Sequence, residues 1–143
     1  MSEAERRRIV AERAEHCCEY CFSQSLLSHD DFALEHIRPQ NDDGTDDLFN
    51  LAWSCQGCNS RKYTAQTAID PPTGLSVALY NPRTDTWRNH FVWSEDFSQI
   101  IGVSPTGRAT VARFDLHRSG VANLRRALAI GGYHPPRLTL FEE

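Results

Sequence analysis

The sequence predicts an α+β protein organised around a zinc site of four cysteines. Two C-x-x-C spacings, Cys18–Cys21 and Cys55–Cys58, indicate the zinc site, because four thiolates at such spacings bind Zn²⁺ in a closed tetrahedral arrangement. Helix-capping signals begin at Ser2 and Ser104, whereas short apolar runs bounded by turn residues lie between them. This combination predicts helices and short strands rather than an all-α or all-β fold.

The length and composition are those of one small domain with an appendage. The chain has 143 residues and a net charge of −4. Acidic side chains are in excess over residues 1–60 and basic ones over residues 61–141. We expect a zinc-stabilised domain over residues 1–69 and a C-terminal extension over residues 70–143, because a Pro- and Gly-containing turn begins at Asp70. The basic second half suits a surface that follows phosphates, although a solvated charged face is the alternative.

The compartment is inferred from two features of the sequence. No apolar run approaches the ~18 residues of a membrane span, and no signal peptide is recognisable. Four of the five cysteines have metal-binding spacing, which favours a reducing compartment over disulfides. We therefore expect a cytoplasmic protein without a membrane partner, in which Cys17 is a spare or buried thiol.

The first half of the chain predicts one helix, two strands and a second helix. A helix is expected over residues 2–15, because Ser2-Glu3-Ala4-Glu5 has the form of a capping box. A strand is expected over residues 31–37, with Pro39 ending it. A short apolar run over residues 48–53 leads to the second cysteine pair. A helix is then expected over residues 58–67, which contain no proline.

The second half predicts two strands followed by two helices. Strands are expected over residues 75–79 and 99–103. Ser104-Pro105 provides an N-cap followed by proline at the first helical position, so a helix should extend to about residue 114. The last helix is expected over residues 119–130 and ends at two glycines.

The segment between the cysteine pairs is longer than a zinc site needs. There are 33 residues between Cys21 and Cys55, whereas a zinc ribbon usually has about 15–20. The additional residues include Glu35-His36, and a neutral imidazole can accept a proton from water near neutral pH. Oxygen atoms of Glu35 and Asn59 suit Mg²⁺ or Mn²⁺ better than zinc. We therefore expect the chemistry on this insertion and on the helix that follows it.

The order of these motifs resembles the HNH endonuclease family. The resemblance is most specific over residues 8–67, and segments between residues 69 and 111 resemble the C-terminal extension of one bacterial subgroup. It implies a ββα-metal core, in which two strands and a helix surround a divalent ion. It is carried by C-x-x-C from Cys18, Glu-His-Ile-x-Pro from Glu35, Asn-Leu-Ala from Asn50 and C-x-x-C-Asn-x-x-Lys from Cys55.

The resemblance implies a role for four residues. His36 corresponds to the general base, and Asn50 to the asparagine that fixes the loop and orients that histidine. Asn59 stands at the third motif position, which makes this the HNN form, and is expected to bind the catalytic metal. Glu35 stands where the family usually has an aspartate metal ligand. Strict strand alternation puts Glu35 and His36 on opposite faces, so both reach one phosphate only at a strand end or a bulge.

Three cations near the motif are expected to contact phosphate, with solvated charge as the alternative. They are Arg38, Arg61 and Lys62. Lys62 follows Asn59 by three residues, so the two side chains are expected on one face of the predicted helix.

The predicted function is a metal-dependent endonuclease that hydrolyses phosphodiester bonds in DNA. Zn²⁺ is expected as the structural ion and Mg²⁺ or Mn²⁺ as the catalytic one. One alternative is a zinc-stabilised nucleic-acid-binding module without catalysis. Another is a nuclease effector that is active only with a protein partner in a defence or mobile-element system. The sequence leaves DNA versus RNA open.

Overall fold

The computed structural model describes residues 1–142, which form two compact units. The first unit is Met1–Gln66 and the second begins at Thr67. The domain boundary expected after residue 69 remains a prediction. Along the described chain, no helix combines the length and the hydrophobicity that crossing a membrane requires.

The first helix, α1 (Glu3–Arg13), begins with the predicted capping box. Ser2 Oγ accepts a hydrogen bond from the Glu5 backbone N–H at 3.1 Å, and the Glu5 carboxylate accepts one from the Ser2 N–H at 3.0 Å. At the other end of α1, the Arg13 guanidinium donates to the Leu51 carbonyl at 2.6 Å. Val10 is fully buried on the inner face of the helix. The helix is therefore fixed both at its start and against the strand that follows the loop.

A two-stranded sheet and a short helix form the centre of the first unit. Strand β1 (Ala33–His36) pairs antiparallel with β2 (Leu51–Ser54), and Glu35 lies opposite Ala52 in the register. Helix α2 (Gln56–Lys62) follows β2 directly and packs on β1. This ββα order confirms the predicted α+β class, with the four cysteines clustered beside it.

The helix predicted over residues 58–67 is shorter than expected. α2 ends at Lys62 because Tyr63 has a φ of 51°, which lies outside the helical region. The prediction was wrong for Thr67, which begins a strand instead. Threonine and isoleucine are β-branched, so the segment Thr67-Ala68-Ile69 suits a strand better than a helix.

The second unit contains two hairpins and two helices. Ser104 Oγ caps its first helix by accepting from the Gly107 N–H at 2.9 Å, as predicted. The elements are β3 (Thr67–Ile69) paired with β4 (Ser76–Ala78), β5 (Phe91–Trp93) paired with β6 (Ile100–Gly102), α3 (Pro105–Phe114) and α4 (Ser119–Ile130).

An ion pair between the buried Asp70, which directly follows β3, and the partly exposed Arg108 of α3 joins these elements within the second unit. The Arg108 guanidinium donates to both oxygens of Asp70, at 2.9 and 3.0 Å. Arg108 lowers the pKa of the Asp70 carboxyl through these hydrogen bonds, and Thr73 adds a weaker one. Trp87, Phe91 and Phe114 are among the buried apolar side chains of this unit, whereas Trp93 is half-buried.

Candidate active site

The four predicted zinc ligands lie together in the first unit. All four Sγ atoms are within 4.8 Å of one another, and those of Cys21 and Cys55 are 3.6 Å apart. Tetrahedral Zn²⁺ with bonds of about 2.3 Å requires sulfurs roughly 3.8 Å apart. Backbone N–H groups of Cys21 and Cys58 point at the Sγ atoms of Cys18 and Cys55, at 3.5 and 3.4 Å. The donor set and its spacing therefore fit a structural zinc ion.

The fifth cysteine lies outside this cluster. The Cys17 thiol is buried and donates to the Glu15 carbonyl at 3.5 Å. Burial, together with the nearby Glu15 charge, raises the pKa of the Cys17 thiol to about 12. Cys17 is therefore a protonated, packed side chain.

The candidate general base is held by a carboxylate. His36 is the last residue of β1, and its Nε2 lies 2.8 Å from Asp46 Oδ1. The hydrogen bond with His36 lowers the pKa of the Asp46 carboxyl, and the charge of Arg6 contributes in the same direction. Asp46 is thus an ionised acceptor at neutral pH, and the imidazole has a fixed partner on one nitrogen.

Asn50 closes the loop that carries Asp46. Its side-chain oxygen accepts from the Arg38 N–H at 2.9 Å, and its amide nitrogen donates to the carbonyls of Arg38 and Thr45, at 3.1 and 2.8 Å. The Asn50 carbonyl also accepts from the Ile37 N–H at 2.9 Å. Gly44 permits this closure, since a Cβ atom there would overlap the Arg38 carbonyl. These contacts are what the loop-fixing role predicted for Asn50 requires.

Glu35 and Lys62 form an ion pair in the interior. Lys62 Nζ lies 2.5 Å from Glu35 Oε1, and each side chain is 2 % exposed. The other Glu35 oxygen accepts from the Tyr20 hydroxyl at 2.7 Å. Lys62 also donates to the carbonyls of His36 and Ile37, at 3.2 and 3.0 Å. The carboxylate is therefore neutralised and oriented by partners on two other elements.

A cavity of about 450 Å³ brings three of the predicted site residues together. Glu35, His36 and Asn59 all line it, as do Tyr63 and Thr64 beyond the end of α2. Glu35 points inward from β1 whereas His36 is only half-buried, as strand alternation requires. Both reach the same cavity because β1 ends at His36, which agrees with the expected strand-end position.

The two predicted ligands of the catalytic cation, Glu35 and Asn59, line this cavity, but both Glu35 oxygens already have protein partners. Mg²⁺ binds through one or two protein oxygens and keeps water and phosphate as its other ligands. Glu35 and Asn59 have oxygens of this kind, but the Lys62 ammonium already neutralises the Glu35 carboxylate, so a cation bound there would have to displace it. Over residues 1–142, the four cysteines are the one group of three or more Cys, His, Asp or Glu side chains whose ligand atoms lie close enough together to hold a metal ion. A cation at Glu35 would therefore have few protein ligands.

The three predicted phosphate contacts have different environments. Arg38 and Arg61 are exposed, and they donate to the carbonyls of Asp42 and Gly57, at 2.5 and 3.1 Å. Lys62 is buried instead. Its interior position does not agree with the expected phosphate contact, because its ammonium is surrounded by three oxygens of the protein.

Sequence reasoning did not single out two partners of these residues. Asp46 is the one aspartate of its loop that is hydrogen-bonded to His36 in the described structure. Tyr20, which lies between Cys18 and Cys21 in the sequence, donates to Glu35. The spacing of neither residue from its partner follows a helix or strand period, so a sequence pattern carries no signal for these contacts.

Comparison with known proteins adds one result at this point. The family model described as HNH endonuclease matches residues 18–65. This segment contains the four cysteines and the cavity residues described above. No curated protein and no solved structure gives a match to the chain. The second unit lies beyond the matched segment, so its resemblance to one bacterial subgroup stays a prediction.

Proposed function

We propose that the chain is a metal-dependent endonuclease that hydrolyses phosphodiester bonds in DNA, starting from the match of the HNH endonuclease family model to residues 18–65. The family implies a nucleic-acid substrate, and DNA is our more specific assignment. The observation that carries the proposal is the shared cavity of Glu35, His36 and Asn59, with His36 hydrogen-bonded to Asp46. A base, a cation site and an orienting carboxylate are the parts that hydrolysis of a phosphodiester needs.

The contact between His36 and Asp46 assigns a role to each imidazole nitrogen. An ionised carboxylate only accepts hydrogen bonds, so Nε2 of the neutral imidazole carries the proton and donates it to Asp46. Nδ1 then keeps its lone pair and accepts the proton of the attacking water. The Asp46 charge stabilises the imidazolium that forms, as carboxylates do in other histidine-based active sites. Asp46 is thus a positioning residue and His36 the catalytic one.

Three further residues prepare the site without accepting protons from the water. Glu35 and Asn59 would hold the divalent cation, which supplies neutralising charge to the phosphoryl and leaving oxygens when bound. Asn50 holds the loop closed between Arg38 and Thr45 and so keeps Asp46 beside His36. We also propose a reducing compartment of the cytoplasmic type, because the zinc-binding thiols must stay reduced.

A plasmid-nicking assay tests the proposed function. The zinc-loaded protein is incubated with supercoiled DNA in Mg²⁺ or Mn²⁺, and a parallel reaction contains no added divalent metal, because a chelator would also remove the structural zinc. We expect nicking that depends on the added metal and is lost in His36→Ala. The matched control is His29→Ala, because that imidazole is fully accessible and lies outside the cavity.

Three outcomes of this assay have different meanings. Nicking by His36→Ala at the wild-type rate would contradict the assignment of the base. DNA binding without any turnover would favour the non-catalytic binding module. Cleavage of an RNA substrate alone would retain the nuclease and correct the substrate.

A further inference from the structure

A second, larger cavity lies next to the candidate active site in the first unit. It measures about 790 Å³ and is bounded by α1, the beginning of β1 and the loop that carries Asp46. His36 lines both this cavity and the 450 Å³ cavity described above. Leu34 and Gln40 also line both, so the two cavities adjoin along these three residues. A nucleic-acid backbone that presents a phosphodiester to His36 has neighbouring phosphates within reach of the larger cavity.

The three consecutive arginines of α1 have different environments around this cavity. Arg7 lines it, but its guanidinium donates to the Phe32 carbonyl at 2.8 Å and stacks 5.0 Å from the Trp53 ring centre. Arg7 is thus part of the packing between α1 and the sheet. Arg8 is outside the cavity and pairs with Glu12 on the exposed side of the helix, with 61 % of its side chain accessible.

Arg6 differs from both neighbours. It lines the large cavity, and its charge acts on Asp46, the partner of His36. One guanidinium nitrogen donates to the Met1 carbonyl at 2.8 Å. Because a guanidinium has five N–H donors in a planar fork, this single contact leaves room for bidentate binding of a phosphate.

We propose that Arg6 binds a backbone phosphate of the nucleic acid in the large cavity, next to the phosphodiester that is presented to His36. The proposal deepens the nuclease function proposed above and rests on it. It extends the nucleic-acid contact surface from the motif segment to α1, which precedes the matched residues 18–65.

The charge of the cavity makes this single arginine important. Three acidic side chains, Glu3, Asp31 and Asp46, line the cavity together with the two basic ones of Arg6 and Arg7, so acidic groups outnumber basic ones by one. The lining as a whole therefore does not attract phosphate electrostatically. A directed, charge-assisted hydrogen bond from Arg6 is the stronger interaction, because such bonds are about twice as strong as neutral ones.

The experiment measures binding separately from cleavage. The full-length, zinc-loaded protein is titrated into a fluorescein-labelled mixed-sequence DNA duplex of about 20 base pairs, in buffer without added Mg²⁺ or Mn²⁺ and at several KCl concentrations. Arg6→Gln should bind about tenfold more weakly than wild type. The slope of log K against log salt should fall by about one, the value for one lost phosphate contact. Arg6→Lys keeps the charge but not the fork, so we expect it to recover the slope and only part of the affinity.

Arg8→Gln is the matched control, since it removes the same charge from the same helix outside the cavity. Far-UV circular dichroism and zinc content verify that each variant is folded. If Arg6→Gln matches Arg8→Gln in affinity and slope, or if the wild-type protein does not bind the duplex, the proposal is overturned. Wild-type cleavage together with an unaffected Arg6→Gln rejects the Arg6 contact alone. Arg6-dependent binding without cleavage in Mg²⁺ rejects the nuclease assignment alone.

Discussion

The Lys62 ammonium lies 2.5 Å from Oε1 of Glu35, and both side chains are 2 % exposed. This pair joins the end of α2 to β1 at the wall of the candidate catalytic cavity. A buried ion pair offsets its own desolvation only when its remaining donors and acceptors are satisfied. Tyr20 satisfies the second carboxylate oxygen, and the carbonyls of His36 and Ile37 accept from the ammonium. The pair therefore has the partners that a stable buried charge requires.

Removing one partner of this pair should destabilise the protein more than removing both. Lys62→Met leaves the Glu35 charge buried and unpaired, which should lower the free energy of unfolding by about 3–5 kcal/mol. The double variant Lys62→Met/Glu35→Gln removes both charges, so much of that loss should be recovered. Urea denaturation of the zinc-loaded variants measures the double-mutant cycle. Strictly additive losses would show that the two side chains are not coupled.

The same pair should compete with the catalytic cation. The Lys62 ammonium lies on the Glu35 carboxylate where a divalent ion would bind. Lys62→Met removes this competing charge, so the variant should bind Mn²⁺ more tightly than the wild type. Glu35→Gln should bind it more weakly, because the amide lacks the negative charge that Mn²⁺ prefers. Electron paramagnetic resonance of free Mn²⁺ measures both affinities with the zinc site already loaded. Equal Mn²⁺ affinity in the wild type and Glu35→Gln would remove Glu35 from the list of metal ligands.

The sequence predicted those features of this protein that depend on short spacings. The capping box at Ser2, the N-cap at Ser104 and the cysteine cluster all involve residues close in sequence or a fixed metal geometry, and each is present in the structure. Local chemistry of this kind can be recognised in a pattern. The end of α2 was not predicted, since it depends on the positive φ of Tyr63, which is an unfavourable conformation for that residue type.

The features that the sequence did not predict depend on which way a side chain points. Lys62 and Asn59 are three residues apart, which suggested a common face and a shared phosphate. In the structure, the long lysine side chain turns inward to Glu35, while Asn59 is half-buried at the cavity. Asp46 reaches His36 only because Asn50 closes the intervening loop. Contacts across a loop follow from tertiary structure and leave no periodic signal.

Zinc should bind through four cysteines and not through the fifth. Cys18→Ser should lose zinc and the cooperative unfolding transition of the first unit, because structural zinc contributes directly to folding. Cys17 precedes Cys18 in the sequence, but its thiol donates to a backbone carbonyl. The Cys17→Ser variant should therefore retain one zinc ion per chain. Elemental analysis of the purified variants measures the zinc content, and thermal denaturation measures the transition. Loss of zinc from Cys17→Ser together with retention in Cys18→Ser would reverse the assignment.

Asp46 should affect the rate of the chemical step and leave substrate binding nearly unchanged. Its carboxylate lies 2.8 Å from His36 Nε2 and stabilises the imidazolium that forms when His36 accepts a proton. Asp46→Ala removes both the charge and the hydrogen bond, so we expect kcat to fall about 100-fold with KM within about twofold. Asp46→Asn can still accept from Nε2–H and should lose less. The measurement is steady-state cleavage of a fluorogenic duplex in Mg²⁺.

The neighbouring carboxylate provides the control for this prediction. Asp47 is exposed on the same loop and lines neither cavity. Asp47→Ala removes the same charge one residue away, so its kcat and KM should match those of the wild type. A purely structural role for Asp46 would lower the folded fraction and leave kcat per folded molecule unchanged. Equal kcat in Asp46→Ala and Asp47→Ala, both normalised to folded protein, would therefore show that His36 acts without this carboxylate.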